Sequence, residues 1–222
     1  MDFLKLFIIF IVAFILIQLL IRFMGKRASD KAMKAFMESD TPTFTKIMDG
    51  WLAKLTIPPF NRYFFKLNYF MSINDADQVK VIAESMQDFN MNRKQKLEYL
   101  MKLYEYALMR DDIPTTKNAL EALRTFISES DMDNRQQLLE KLDLDESIFI
   151  NHDMDSLDAI DTLIEQSPEE LKGVWYFRKA MILEENGHDQ RALTEIERAM
   201  RHETLAINKE QYQVLKDQIE KK

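Results

Sequence analysis

The fold of this chain is decided by the stretch WYFRKAMILEENGHDQRALTEIERAMR, which runs from residue 175 to 201. Two helix-length segments carry apolar residues at three- and four-residue spacing, and a short turn at Gly187 separates them. Glycine adopts the positive φ that commonly ends a helix. Ala180 and Ala192 lie on the apolar faces of the two segments, and their small side chains allow close approach. The stretch therefore predicts a closely packed helix–turn–helix.

This block resembles a tetratricopeptide repeat (TPR), a helix–turn–helix unit of about 34 residues. The family alternates small and bulky residues on the two helices and places glycine at the turn. The matching residues in 174–201 are Ala180, Leu183, Gly187, Ala192, Ile196 and Ala199. Tyr176 stands where the family usually has Trp, and Thr204 where it has its closing Pro. The resemblance implies an α-solenoid, with a groove for protein ligands along the first helix of each pair.

Degenerate copies of the unit precede the best one. The residues that correspond to Ala192 in these copies are Val79, Ala119 and Ala159, so successive positions lie 40, 40 and 33 residues apart. Only the last spacing is typical of a TPR, so the earlier units carry longer loops or belong to a related α-solenoid. An irregular helical bundle is the alternative. The mostly polar segment from about residue 208 to 221 is predicted to close the last layer as a capping helix.

Composition predicts an all-α fold without disulfides. The chain has 4 glycines, 5 prolines and no cysteine in 222 residues, which leaves little room for β-turns. Residues 1–70 hold 10 Lys and Arg against 5 Asp and Glu, whereas residues 71–222 hold 20 against 32. An acidic distal part would repel phosphates, so nucleic acid is not expected as a partner.

An apolar run from Leu6 to Ile21, interrupted only by Gln18, predicts a transmembrane anchor over residues 1–24. At about 1.5 Å per residue a helix of this run covers roughly 24 Å, and its flanks extend it toward a hydrocarbon layer of about 30 Å. A signal peptide or a buried core helix is the alternative. The basic residues that follow are Arg22, Lys26, Arg27, Lys31 and Lys34. They predict an N-terminus outside, a cytoplasmic distal domain, and contact with anionic headgroups.

Residues 25–59 are expected to form a juxtamembrane basic segment and one amphipathic helix. The apolar stripe of this helix contains Phe44, Ile47, Met48, Trp51, Leu52 and Leu55. Packing as the first layer of the domain is favoured, and lying in the membrane interface is the alternative. Residues 60–222 are then the TPR-like domain, in which Asn74 and Asn92 are predicted N-caps.

The TPR resemblance implies which residues face the binding groove. In three of the four units these are Phe64, Asn68 and Met71, then Tyr104, Leu108 and Asp111, then Phe177, Met181 and Glu184. Aromatic and methionine side chains suit an amphipathic helix or extended peptide. TPR adaptors that clamp a carboxylate place Lys where Phe64, Tyr104 and Phe177 stand, so that subclass is not expected. Burial of these side chains under neighbouring helices is the alternative.

No motif predicts catalysis, a metal or a cofactor. The three histidines form no metal-binding pair, and the acidic residues around Asp155 and Asp158 lack EF-hand spacing. The sequence predicts a noncatalytic, single-pass membrane scaffold whose cytoplasmic domain binds other proteins. Two alternatives remain open: an accessory subunit of an integral membrane complex, and a reversed, extracytoplasmic TPR protein associated with protein export.

Overall fold

The computed structural model describes residues 3–110, 112–203 and 206–222, and its described side chains begin at Gln18 and leave out residues 20, 22, 206 and 207. Within these residues the chain forms twelve α-helices and no strand, which confirms the predicted all-α class. The chain divides into two compact units, Met1–Tyr99 and Leu100–Lys222. The predicted boundaries at residues 24 and 59 both fall inside the first unit.

The first unit contains five helices and the beginning of a sixth. Their bounds are α1 Phe3–Met37, α2 Thr41–Met48, α3 Trp51–Thr56, α4 Pro59–Ser72, α5 Ala76–Gln87 and α6 Arg93–Met109. Stacked aromatic rings form its core: the ring centroids of Phe36 and Phe65 lie 5.5 Å apart, and those of Phe44 and Tyr69 lie 4.0 Å apart. These contacts join α1, α2 and α4.

The second unit contains the remainder of α6 and six further helices. Their bounds are α7 Ile113–Glu129, α8 Arg135–Glu146, α9 Leu157–Gln166, α10 Glu169–Glu185, α11 Asp189–His202 and α12 Ala206–Glu220. A π-helical turn, Ser147–Asn151, and a 3₁₀ turn, Met154–Ser156, connect α8 to α9. The aliphatic core of this unit includes Ile160, Leu183 and Ile196, none of which is exposed to solvent.

The predicted amphipathic helix of residues 44–55 is wrong as a single element. The structure ends α2 at Met48 and begins α3 at Trp51, with Gly50 as the N-cap residue. Phe44 and Met48 are buried, whereas the side chains of Trp51 and Leu55 turn outward and are 68% and 59% exposed. The break therefore separates one continuous stripe into a core half and a surface half.

Two helix starts test the predicted N-caps. Asn92 is confirmed, because its side chain accepts a hydrogen bond from the backbone N–H of Gln95 at 2.9 Å. The prediction for Asn74 is wrong by one residue: Asp75 caps α5 through the N–H of Gln78. Asn74 instead has a φ of 56°, a left-handed conformation that Asn tolerates well.

α1 runs without a break from Phe3 to Met37 and passes very close to α3. A Cβ on Gly25 would lie only 3.0 Å from the Cβ and Cγ2 atoms of Thr56. Glycine therefore permits this approach. Among the residues that the structure describes, no helix combines the length and apolar character needed to cross a membrane. Most side chains from Leu6 to Ile21 lie outside the described residues, so the anchor stays a prediction.

Candidate protein-binding site

The hairpin of α10 and α11 is built on small residues, as its sequence predicts. Ala180, Ala192 and Ala199 are fully buried between the two helices. A Cβ on Gly173 would lie 3.1 Å from the carbonyl oxygen of Ala199, which shows that the backbones nearly touch near the end of α11. Gly187 has a φ of 77° at the turn. Small residues at these positions therefore let α10 and α11 pack closely against each other.

A partly buried ionic cluster ties this hairpin to α9. The Nζ atom of Lys179 lies 2.5 Å from an Asp161 oxygen and 3.7 Å from a Glu195 oxygen. Arg198 adds a second cation at 3.2 Å from Glu195. The side chains of Lys179 and Glu195 are each only 10% exposed. Asp161, which follows the acidic residues Asp155 and Asp158 in the sequence, thus takes part in a structural ion pair.

α12 covers one side of α10. The rings of Phe177 and Tyr212 are stacked with centroids 4.3 Å apart, and the Tyr212 hydroxyl donates a hydrogen bond to Glu203 at 3.0 Å. Burial first, and then the hydrogen bond to Glu203, raise the pKa of Tyr212. Lys222, which follows the end of α12, forms an ion pair with Glu184. Of the three predicted groove residues on α10, Phe177 therefore contacts α12 and Glu184 contacts the residue Lys222 that follows it.

An open cleft remains between α10 and α12, with a volume of about 420 Å³. Its lining residues are Val174, Phe177, Arg178, Met181, Asn208, Gln211, Tyr212 and Val214. Val174 and Val214 are 38% and 52% exposed, so apolar surface reaches solvent here. The cleft combines apolar side chains with one guanidinium and two amides. This mixture can hold the apolar face of a peptide and hydrogen-bond its polar edge.

The predicted groove residues of the first unit lie on α4 and are all half-buried. Phe64 stacks on Phe60 with ring centroids 5.4 Å apart. Asn68 donates a side-chain hydrogen bond to the carbonyl of Phe64 at 2.7 Å, and Met71 lies one turn further on. The side-chain amide nitrogen of Asn68 thus already donates a hydrogen bond within its own helix.

The groove residues predicted for the repeat unit around α6 differ in burial. Tyr104 is buried, Leu108 is half-buried, and Asp111 lies outside the described residues. Tyr104 and Leu108 line a small cavity of about 70 Å³ among α6, α7 and α8, together with Asp145. Burial raises the pKa of Asp145, and a charge from Lys141 opposes that rise.

The Tyr104 hydroxyl is a buried polar group with no hydrogen-bond partner among the described residues. Burial, reinforced by the charges of Asp145 and Glu146, raises its pKa. An unpaired buried hydroxyl costs about 1–3 kcal/mol. We therefore expect Tyr104→Phe to raise the free energy of unfolding of the full chain by about 1 kcal/mol, measured by thermal unfolding in mild detergent.

The matched control for Tyr104→Phe is Tyr212→Phe in the same unit. This change removes a hydroxyl that is bonded to Glu203, so it should lower the free energy of unfolding. Destabilisation by both changes would mean that the Tyr104 hydroxyl has a partner in solution.

The predicted membrane-surface cations lie along α1. Lys26, Arg27 and Lys31 are exposed, and Lys34 is exposed and lies 3.7 Å from Glu38. The side chain of Arg22 lies outside the described residues. The basic residues that remain available to an anionic surface are those nearest the apolar run.

The described part of the chain contains no group of His, Cys, Asp and Glu side chains that could hold a metal ion. His152 has a left-handed backbone with φ of 51°, and its Nδ1 lies 2.6 Å from Glu185. His202 stacks on Tyr176 and lies 3.1 Å from Glu169. Both histidines therefore join helices to their neighbours. The absence of catalysis and of a cofactor stays a prediction.

Sequence reasoning missed Gly173, Lys179 and Glu203. Gly173 lies among strong helix formers, and a glycine in such a segment indicates close approach of another backbone. The sequence therefore contained a usable signal for this residue. Lys179 and Glu203 carry no such signal, because charged residues on helices are normally solvated and only their neighbours show that they are buried.

The described residues define an all-α protein whose second unit contains a tightly packed helical hairpin with a cleft along its first helix. No protein-family model, no curated protein and no solved structure matches the chain.

Proposed function

We propose that this chain is a noncatalytic adaptor, held on the cell membrane by its N-terminal helix, that binds other proteins through a TPR-like domain on the cytoplasmic side. The observation that carries the proposal is the cleft between α10 and α12, which contains Phe177 and Met181 from the predicted groove. No cofactor or small-molecule substrate takes part. The partner contributes an amphipathic helix or an extended segment.

The spacing of small residues supports the TPR-like part of the proposal. Buried alanines at positions 180, 192 and 199 and the turn glycine at 187 occupy the positions that the repeat requires. A closely packed hairpin suits a binding role because little conformational entropy is lost when a ligand binds to a preformed surface.

The apolar run from Leu6 to Ile21 supports the anchor, and the cations behind it support a cytoplasmic domain. An anchor raises the local concentration of the domain near membrane-bound partners, so modest affinity for one cleft suffices.

The cleft is tested by placing a photo-crosslinking amino acid at Val214 in the full chain and irradiating native membranes. We expect a discrete adduct with one protein, because Val214 is exposed on the rim of the cleft. The matched control is the same crosslinker at Val81, a valine of similar exposure on α5. An equal adduct pattern from both positions would contradict specific binding at the cleft.

Charged substitutions on the rim separate binding from folding. The double change Val174→Asp and Val214→Asp should abolish the adduct at a third rim position, Gln211, while the melting temperature stays nearly constant. Val81→Asp should change neither. Loss of the adduct together with a large drop in melting temperature would assign the cleft to the core.

Orientation is tested with reporter enzymes fused to the C-terminus. A cytoplasmic reporter should be active and a periplasmic one inactive. The opposite result favours the reversed, extracytoplasmic alternative. A chain that is soluble only together with one fixed partner would instead identify an accessory subunit.

A further inference from the structure

A second cleft lies entirely within the first unit, between α1 and the α2–α3 pair. Its volume is about 430 Å³. The lining residues are Met24, Arg27, Ala28 and Lys31 from α1, and Lys46, Ile47, Gly50, Trp51 and Leu52 from α2, α3 and the turn between them. Among the described residues, three cations and no carboxylate line the cleft, and the other lining side chains are apolar.

In the described part of the chain, no carboxylate lies within ion-pairing distance of Arg27, Lys31 or Lys46, whereas the nearby Lys66 is paired with Asp49 at 2.9 Å. The Arg27 guanidinium lies over the Phe23 ring at 4.7 Å. The cleft therefore has a net positive charge, which favours an anionic ligand.

One face of α1 changes from apolar to cationic residues along the helix, and its cationic end lines this cleft. Leu19, Phe23, Arg27 and Lys31 follow at four-residue spacing and so share one helix face. Leu19 and Phe23 are 56% and 55% exposed. This face covers about 18 Å along the axis, at about 1.5 Å per residue. Its order, apolar toward the N-terminus and cationic beyond, is the order of acyl chain and phosphate in a phospholipid.

Trp51 completes the site because α3 is held against α1 at Gly25. The close approach of Gly25 to Thr56 keeps α3 beside the end of the apolar run. The break at Gly50 turns Trp51 outward on the rim of the cleft. Tryptophan is favoured at the level of lipid headgroups, where one side of the ring is apolar and the other polar.

We propose that this cleft binds one anionic phospholipid of the membrane, with its phosphate on Arg27, Lys31 and Lys46 and its glycerol and upper acyl carbons against Met24, Leu52 and Trp51. This inference rests on the proposed attachment to the membrane and adds a defined lipid site to it. A diffuse basic surface would attract anionic lipids without selecting a position, whereas this site places one lipid beside Trp51.

Trp51 reports occupancy directly. Trp175→Phe in the full chain leaves Trp51 as the single tryptophan, since the sequence contains two. The protein is reconstituted in phosphatidylcholine nanodiscs that contain a small fraction of brominated phosphatidylglycerol or brominated phosphatidylcholine. We expect clearly stronger quenching by the brominated phosphatidylglycerol. Equal quenching by the two lipids would overturn the proposal without the use of any cleft variant.

Matched charge variants test which cations bind. The cleft variant carries Arg27→Gln, Lys31→Gln and Lys46→Gln, and the control carries Lys26→Gln, Lys34→Gln and Lys54→Gln, with the same loss of charge in the same unit. Each phosphate contact near a membrane contributes about fivefold in affinity. The cleft variant should therefore weaken binding about a hundredfold and lose the preference for phosphatidylglycerol, while the control keeps it. Equal losses in both variants would mean diffuse electrostatic attraction only.

A detergent experiment separates this proposal from the anchor. Native mass spectrometry of the full chain in detergent should show one retained phosphatidylglycerol per chain, lost in the cleft variant and kept in the control. Extraction of membranes at alkaline pH tests the anchor independently. Release of the chain there, with lipid still retained in detergent, refutes the anchor and not the site. Retention in the membrane with no bound lipid refutes the site and not the anchor.

Discussion

Gly173→Val is expected to lower the free energy of unfolding by about 3 kcal/mol, because a side chain at this position meets backbone atoms of α11. A Cβ would lie 3.1 Å from the Ala199 carbonyl oxygen and 3.2 Å from the Glu203 nitrogen. Backbone atoms cannot rotate away as a flexible side chain can, so the two helices must separate. Thermal unfolding of the full chain in detergent measures the loss.

Gly173→Ala tests this prediction most directly, because helix propensity favours a gain in the free energy of unfolding whereas packing favours a loss. Alanine in place of glycine inside a helix normally stabilises by about 1 kcal/mol. Here we expect net destabilisation, since the methyl group already makes the short contacts. Gly187→Asn is the control: that glycine has a positive φ with open space around it, and Asn tolerates the conformation. Stabilisation by Gly173→Ala would contradict the close approach of α10 and α11.

Lys179→Met is expected to cost about 2 kcal/mol, because it removes the more deeply buried of the two cations beside Glu195 and leaves Asp161 without its ion pair. Glu195 is only 10% exposed and would keep the half-exposed cation of Arg198, at 3.2 Å. Lys216→Met is the control, since Lys216 makes two long ion pairs at the surface, and such pairs contribute about 0–1 kcal/mol. Unfolding by heat and by urea should give the same order of stability.

The double change Lys179→Met with Glu195→Leu tests the cause of that loss. Replacing both members by apolar side chains leaves no buried charge in the pair, so the double variant should be more stable than Lys179→Met alone. Asp161 is half-exposed and can remain solvated. A double variant less stable than the single one would mean that the methylene packing of Lys179, rather than its charge, holds α9 to the hairpin.

Local signals predicted the helices well and their ends less well. Asn92 caps α6 as expected, because a capping side chain acts on backbone atoms three residues away. The stripe from Phe44 to Leu55 predicted one helix, and the structure has two. Periodicity cannot detect such a break, since Trp51 and Leu55 keep the helical spacing whichever side they face. Gly50 was the available signal for the change of direction.

The resemblance to TPR proteins predicted the positions of the groove residues on their helices but not their exposure to solvent. It placed Phe177 and Tyr104 at equivalent positions, yet Phe177 lines an open cleft beside α12 and Tyr104 lies in the core. Their environments differ because different helices cover them. Repeat position specifies which face of a hairpin a residue occupies, while its exposure depends on the neighbouring layer.

The amino-acid sequence alone determined the all-α class and the α10–α11 hairpin, because helical periodicity, small residues and a turn glycine act over a few residues. Only the tertiary structure decided which charges are buried and where the clefts lie. Lys179 contacts Asp161, which lies 18 residues earlier in the chain, and Lys46 lines the same cleft as Arg27, 19 residues earlier. The path of the connecting chain brings their helices together. No local pattern encodes that path, since it follows from how whole helices pack.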